Sequence, residues 1–224
     1  MTSNKRSKLL KLSSSAQKRG DRMPRPKNDG SPAADERLEA AFFDALREMP
    51  FDRITVSNIV KRAGLNRNSF YYHFSDLEDL AHSAVQRILV PEIPQLIASG
   101  FRPDSERFQL MLADLAGREG IDRMLLVIGP HSTPKLRSIM QDAVMGMWLE
   151  SFHLSQEDIG EEGLTTVRFV LGGMFEVLGR TATDGFIERL DTVRKMPIVQ
   201  ACATVMTTTF KAAAVRSVES KAGR

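Results

Sequence analysis

From residue 33 onward, hydrophobic positions recur every three or four residues, the spacing of helices with one buried face. Leu38, Ala41, Phe42, Ala45 and Met49 form the first stripe, and Pro50 closes it. Thr55 is placed to cap VSNIVKRA, with Val56, Ile59 and Val60 facing inward and Gly64 able to end the helix at positive φ. Asn66 is placed to cap RNSFYYHF, residues 67–74. Asp76, with Asp79 three residues later, resembles a capping box opening LEDLAHSAVQRILV, which Pro91 and Pro94 stop. Further helices are predicted near 104–116, 121–128, 134–153, 163–182, 186–195 and 197–216. Gly100, Pro103, Gly117, Gly120, Gly129–Pro130 and Asp184–Gly185 separate them, and Pro197 sits like a first-turn proline. No alternating strand pattern with a hairpin turn is present and no internal repeat, so the predicted fold class is all-α.

The first 32 residues differ. They are rich in Ser, Pro, Gly and Lys/Arg, without sustained periodicity, and are predicted to be a disordered arm. Residues 1–30 hold nine basic residues against Asp21 and Asp29, a balance of +7; with a total of +3, the rest of the chain sums to −4. A basic arm on a mildly acidic body points to a polyanion, most often nucleic acid. A solubilising or unprocessed N-terminus, with translation starting at Met23, fits the same composition.

Composition narrows the class. The chain is 42% hydrophobic and 26% charged, as in ordinary globular proteins. Its one cysteine, Cys202, allows no intrachain disulfide and suits a reducing compartment, where it reads as a small buried apolar residue. No uninterrupted apolar run approaches the roughly 20 residues of a membrane helix, and the apolar stretch after the basic start is too short for a signal peptide. A cytoplasmic location follows. His82, His131 and His153 have no metal-ligand spacing with one another or with Cys202, so no metal is expected. Nor is there a nucleophile–base arrangement or a phosphate-binding glycine loop; the chain reads as a non-enzyme with no cofactor.

The chemistry lies between Thr55 and Phe74. Two helices of about eight residues joined by A-G-L-N describe a helix-turn-helix. Its second helix must be short, held firmly by the first, and free on its outer face to enter a major groove. Phe70 and Phe74, four apart, can anchor it. Arg67, Asn68, Ser69 and Tyr71 sit toward its N-terminal end, where base edges lie, and Tyr72 and His73 have polar tips able to reach phosphates. Arg53, Lys61, Arg62 and Arg67 share residues 53–75 with no acidic residue. Residues 31–81 nevertheless carry six basic and nine acidic residues, so the arm can supply phosphate-binding charge that this segment lacks.

From Leu38 to Leu80, and above all in FDRITVSNIVKRAGLNRNSFYYHFSDLEDL, the sequence closely resembles the N-terminal domain of the TetR (tetracycline repressor) family of bacterial transcription regulators. The resemblance implies a three-helix headpiece followed by a larger helical domain for effector binding and dimerisation. It assigns Thr55 to a phosphate, through its hydroxyl and backbone N–H, and places Ser57 near a base. Arg67, Asn68 and Ser69 match recognition positions, Tyr71 a base or backbone contact, and Tyr72 and His73 phosphate contacts. One position departs: where many members carry a phosphate-binding Lys at the start of the fourth helix, this chain has Leu77 between Asp76 and Glu78. The implied partners are a palindromic double-stranded operator, a small-molecule effector and a second copy of the chain, and the implied mode is repression. An interaction protein that reuses the fold, as a nucleoid-associated factor or coactivator, is the competing reading.

The C-terminal part resembles the family only in general habit. Its segment GGMFEVLG, 172–179, places glycines in a helix at a cost of roughly 1 kcal/mol each relative to Ala, which close helix–helix approach can offset. That favours dimerisation through the last two long helices. Candidate pocket residues are Phe108, Met111, Met140, Met145, Trp148, Phe152, Phe169 and Phe175. The expected organisation is an arm at 1–32, a DNA-binding domain at 33–80, an effector and dimerisation domain at 81–217, and a tail at 218–224.

Overall fold

Local caps set most element boundaries, and the computed structural model describes them over residues 33–100, 102, 105–181 and 195–222. The basic arm and the helix expected at 186–195 lie outside the described residues, the latter but for residue 195. Among the described residues every regular element is helical: α1 (Ala34–Glu48), a 3₁₀ turn (Phe51–Arg53), α2 (Val56–Ala63), α3 (Arg67–His73) and α4 (Leu77–Ile88). There follow α5 (Ile93–Ala98), α6 (Glu106–Ile128), α7 (Pro134–Ser151), α8 (Gln156–Thr181) and α9 (Pro197–Ala222).

Thr55 and Asn58 form a reciprocal cap: the Thr55 hydroxyl accepts from the Asn58 N–H at 3.2 Å, and Asn58 Oδ1 accepts from the Thr55 N–H at 3.0 Å. Gly64 ends α2 with φ 62° and ψ 35°, the left-handed geometry that glycine adopts without strain. Asn66 opens α3 by accepting from the Ser69 N–H at 2.8 Å. Asp76 Oδ1 accepts from the N–H groups of Glu78 (2.8 Å) and Asp79 (2.9 Å) to open α4, while Asp79 reaches back to the Ser75 N–H at 2.8 Å.

Four boundaries depart from the sequence pattern. Pro94 does not stop a helix but lies in the first turn of α5, where its missing N–H costs nothing. Gly160 (φ 74°, ψ 171°) breaks α8 after a first turn held by Ser155 and Asp158, ahead of the expected start at 163, whereas Gly117 (φ 65°, ψ 166°) breaks α6 where the sequence pattern places a separator. α9 continues through Ala222, so residues 218–222 are helix rather than tail. Finally, the boundary expected at residue 80 falls inside α4, which packs against α1 on one side and α6 and α7 on the other.

One aromatic core holds the N-terminal helices: Phe42 stands edge-on to Phe43 (5.2 Å) and Phe51 (6.0 Å), and Leu38, Ile59, Phe70 and Leu80 are fully buried around them. A second gathers Trp148 of α7 and Phe152, which caps that helix, around Phe210 of α9, at 5.1 and 5.7 Å. α8 and α9 pack along each other. Of the glycines in GGMFEVLG, Gly179 is the one pressed by its own chain: a Cβ there would stand 2.3 Å from the Ile128 carbonyl oxygen. Gly179→Ala is therefore expected to push α8 off the end of α6 and cost about 1–3 kcal/mol, read by urea denaturation. Gly173 points into open space, and Gly173→Ala should leave the stability of the protomer unchanged or slightly higher.

Candidate nucleic-acid interface

α3 has two faces. Phe70 is fully buried and Phe74 nearly so, their rings 5.9 Å apart, which fixes the helix to α1 and α2. On the opposite side Arg67, Asn68, Tyr71, Tyr72 and His73 are exposed, and Ser69 is half-buried beside its Asn66 cap. Tyr72 is 80% exposed and Tyr71 57%, values that a ring serving only the core would not show. Tyr71 stands edge-on to Phe70 at 5.4 Å, and Tyr72 edge-on to His73 at 5.0 Å, so both phenols are aimed outward from a packed base.

α2 supplies the flanking groups. Thr55 and Ser57 are exposed at its start, and the Arg67 guanidinium donates to Ser57 Oγ at 2.5 Å. That bond ties the first residue of α3 to the first turn of α2. The Thr55 N–H and hydroxyl are both engaged with Asn58 Oδ1, the hydroxyl at 2.7 Å. Of the four cations between residues 53 and 75, Arg62 is spent on Glu48, whose carboxyl the guanidinium holds below the usual glutamate range. Arg53, Lys61 and Arg67 make no ion pair among the described residues.

Several supporting residues had no signal in the sequence. Arg37 of α1 donates to the carbonyls of Ala63 (2.5 Å) and Gly64 (3.4 Å), placing a cation on the C-terminal end of α2 and fixing the turn before α3. Glu39 of α1 is buried, accepts from the Ser83 hydroxyl at 2.7 Å and forms an ion pair with Arg87 Nε at 3.0 Å, both on α4. Burial raises its carboxyl pKa above the ordinary value even with these partners. Arg87 also reaches Asp35 at 2.6 Å, so α1 and α4 are clamped at two points. His131, in the loop between α6 and α7, bonds through Nδ1 to the Leu46 carbonyl at 2.8 Å, and its own carbonyl accepts from Phe51 N–H at 3.3 Å. Such contacts join residues far apart in the chain, which periodicity does not register.

Residues 40–84 match the model of a family described as bacterial regulatory proteins, tetR family. The chain carries a TetR-family helix-turn-helix domain. Neither a curated protein nor a solved structure matches the chain significantly. The match covers α2, α3 and their caps, and it makes the chain a DNA-binding transcription regulator. It ends inside α4, before Arg87, although that residue helps to clamp the TetR domain together.

Beyond the TetR domain, a cavity of about 260 Å³ lies among α4 to α9. Five methionines line it, Met124, Met140, Met147, Met174 and Met206, with Trp148 and Phe175, and no charged side chain. Three expected pocket residues, Met140, Trp148 and Phe175, thus face it. Three do not. Phe169 is 83% exposed, because residues 167, 170, 171 and 175 take the inner face of α8 and 169 falls opposite. Phe152 stacks on Trp148 at 6.0 Å outside the lining, and Met145 is buried elsewhere on α7. Phe108 and Met111 belong to α6, but their side chains lie outside the described ones.

Proposed function

We propose that the chain is a homodimeric repressor that reads a palindromic operator with α3 and is released by a small apolar effector. The observation that carries this reading is a recognition helix bare on its outer face and followed directly by α4. That helix ends at the apolar cavity with Ile88 and Leu89. A ligand that prefers one packing of α4 shifts the population of headpiece positions by its differential affinity for the two states.

In this reading Arg67, Asn68, Ser69 and Tyr71 meet base edges and Ser57 stands beside them. Thr55, Tyr72 and His73 hold phosphates. Thr55 would share its N–H and hydroxyl between Asn58 and the phosphate, and the Ser57 bond pre-orients Arg67 for the groove. The start of α4 offers no cation: Leu77 is half-buried, and Glu78 is engaged by Lys135 of α7. The basic arm supplies the missing phosphate charge. Arg67→Ala is expected to cost on the order of 1–3 kcal/mol on the specific site and to relax selectivity there. Equal operator affinity in a gel-shift titration would remove Arg67 from the reading surface.

The dimer rests on the outer faces of α8 and α9. Phe169 and Val177 are exposed on one, Val215 and Val218 on the other, and Gly173 lies open between the first two. Residues Pro197–Ser220 have a mean hydropathy of 1.3 over a window that is 17% buried within the protomer. That is long and apolar enough to cross a membrane by length and composition alone. In a chain that binds DNA, and so works in the cytoplasm, a second copy is the natural cover.

Selecting bound duplexes from a random pool tests the whole reading. The expected product is a palindrome with half-sites about one helical turn apart. Sequence-indifferent or non-palindromic binding would favour an architectural or coactivator role instead.

A further inference from the structure

Beside the effector cavity, a groove of about 550 Å³ lies between α4 and α7. Leu89 and Met147 line both spaces, so the groove borders the cavity across these two apolar side chains. Its polar lining is one-sided in charge: Asp142 and Glu150 of α7, Gln86 of α4, and no cation. Neighbouring cations are turned elsewhere, Arg87 to Asp35 and Glu39 and Arg137 to Glu176. On these helices Glu78 is paired with Lys135 and Asp79 accepts from Ser75, whereas Asp142 and Glu150 have no cationic partner among the described residues.

An interior lined by methionines and apolar rings does not hold a formal charge, because removing an ion from water without a partner is too costly. A charged head on an apolar ligand must therefore sit outside that interior. We propose, building on the effector reading above, that the effector is an organic cation, with its apolar tail in the cavity and its head between α4 and α7 facing Asp142 and Glu150. A second groove touches the cavity at Ile97 and Ala203 and contains Arg102. The hydroxyls of its Thr204, Thr207 and Thr208 donate to carbonyls of their own helix, at 2.9–3.0 Å. Of the two grooves it is the one that holds a cation, so the two make opposite predictions about the head.

Trp148 is the sole tryptophan and lines the cavity, which gives the full-length protein a built-in reporter of occupancy. Octyltrimethylammonium, octanol and octanoate, titrated below their micellar range, present one tail with three heads. The cation is expected to change Trp148 fluorescence at about tenfold lower concentration than octanol, the contribution of two exposed ion pairs. Octanoate should be weakest, and the preference should shrink with added salt. In D142N/E150Q, which alters two exposed positions, the preference should vanish while octanol binding stays. Equal binding of cation and octanol, tightest binding of octanoate, or a preference that survives the double substitution would each overturn the cationic head. In each of those cases the effector cavity would still stand. No response to any of the three would overturn the cavity and the proposal together.

Discussion

Phe70→Ala is expected to cost about 3–5 kcal/mol of stability and to abolish operator binding with it. The side chain is fully buried, touches Phe74 and Tyr71, and is the main apolar anchor of a seven-residue helix. A helix that short has no independent stability in water, so losing its anchor means losing the recognition surface. Tyr72→Ala, two residues along, is the matched control. Its ring is 80% exposed, and its removal should change stability by less than about 0.5 kcal/mol while weakening DNA binding. Urea denaturation and a gel-shift titration on the same two proteins separate the effects. A small loss for Phe70→Ala, or an equal stability loss for both, would mean that α3 is not divided into an anchoring face and a free one.

What the sequence disclosed follows the range of each interaction. Thr55, Gly64, Asn66 and Asp76 bond to groups within five residues, and their roles can be read from spacing alone. Phe70 and Phe74 are legible for the same reason, since a four-residue interval puts both on one side of a helix. Pro94 was ambiguous because proline is compatible with a helix start as well as a helix stop, and only the neighbouring helices decide. Phe169 and Phe175 carry the same side chain on the same helix. Two apolar faces, one for the core and one exposed, cannot be distinguished by periodicity when both bear large residues. Arg37, Glu39, Arg87 and His131 lie beyond any local rule, because each finds its partner 26 to 85 residues away or through a burial that composition does not encode.

The long-range contacts also place α4 between the two proposed activities. Its start is tied to α7 through Glu78 and Lys135, its middle and end to α1 through Ser83 and Arg87, and its last residues line the cavity. Arg123 of α6 lies 4.9 Å from the Phe43 ring and adds a further contact between α1 and the cavity walls. A ligand that displaces Ile88 or Leu89 thus acts one and two residues from the guanidinium that clamps α1. The coupling needs no relay beyond a single rigid helix.

Phe169→Arg tests the second half of the reading, and it is expected to weaken DNA binding without unfolding the protomer. The ring is 83% exposed in the protomer, so a single copy gains nothing from it and should fold with unchanged helicity. In a two-fold dimer built on α8 and α9 the substitution places a cation in a face otherwise made of Val177, Val215, Val218 and Gly173, and it does so twice. Sedimentation should then show monomer. Operator affinity should fall by about 10²–10⁴, because the second headpiece no longer binds as part of the same molecule. Leu110→Arg is the control: Leu110 is also an exposed apolar residue, at 66%, but it lies on α6, and its replacement should leave both the dimer and the operator complex intact. A Phe169→Arg protein that remained dimeric at full operator affinity would place the interface elsewhere, and the exposed apolar surface of α9 would then need a different partner.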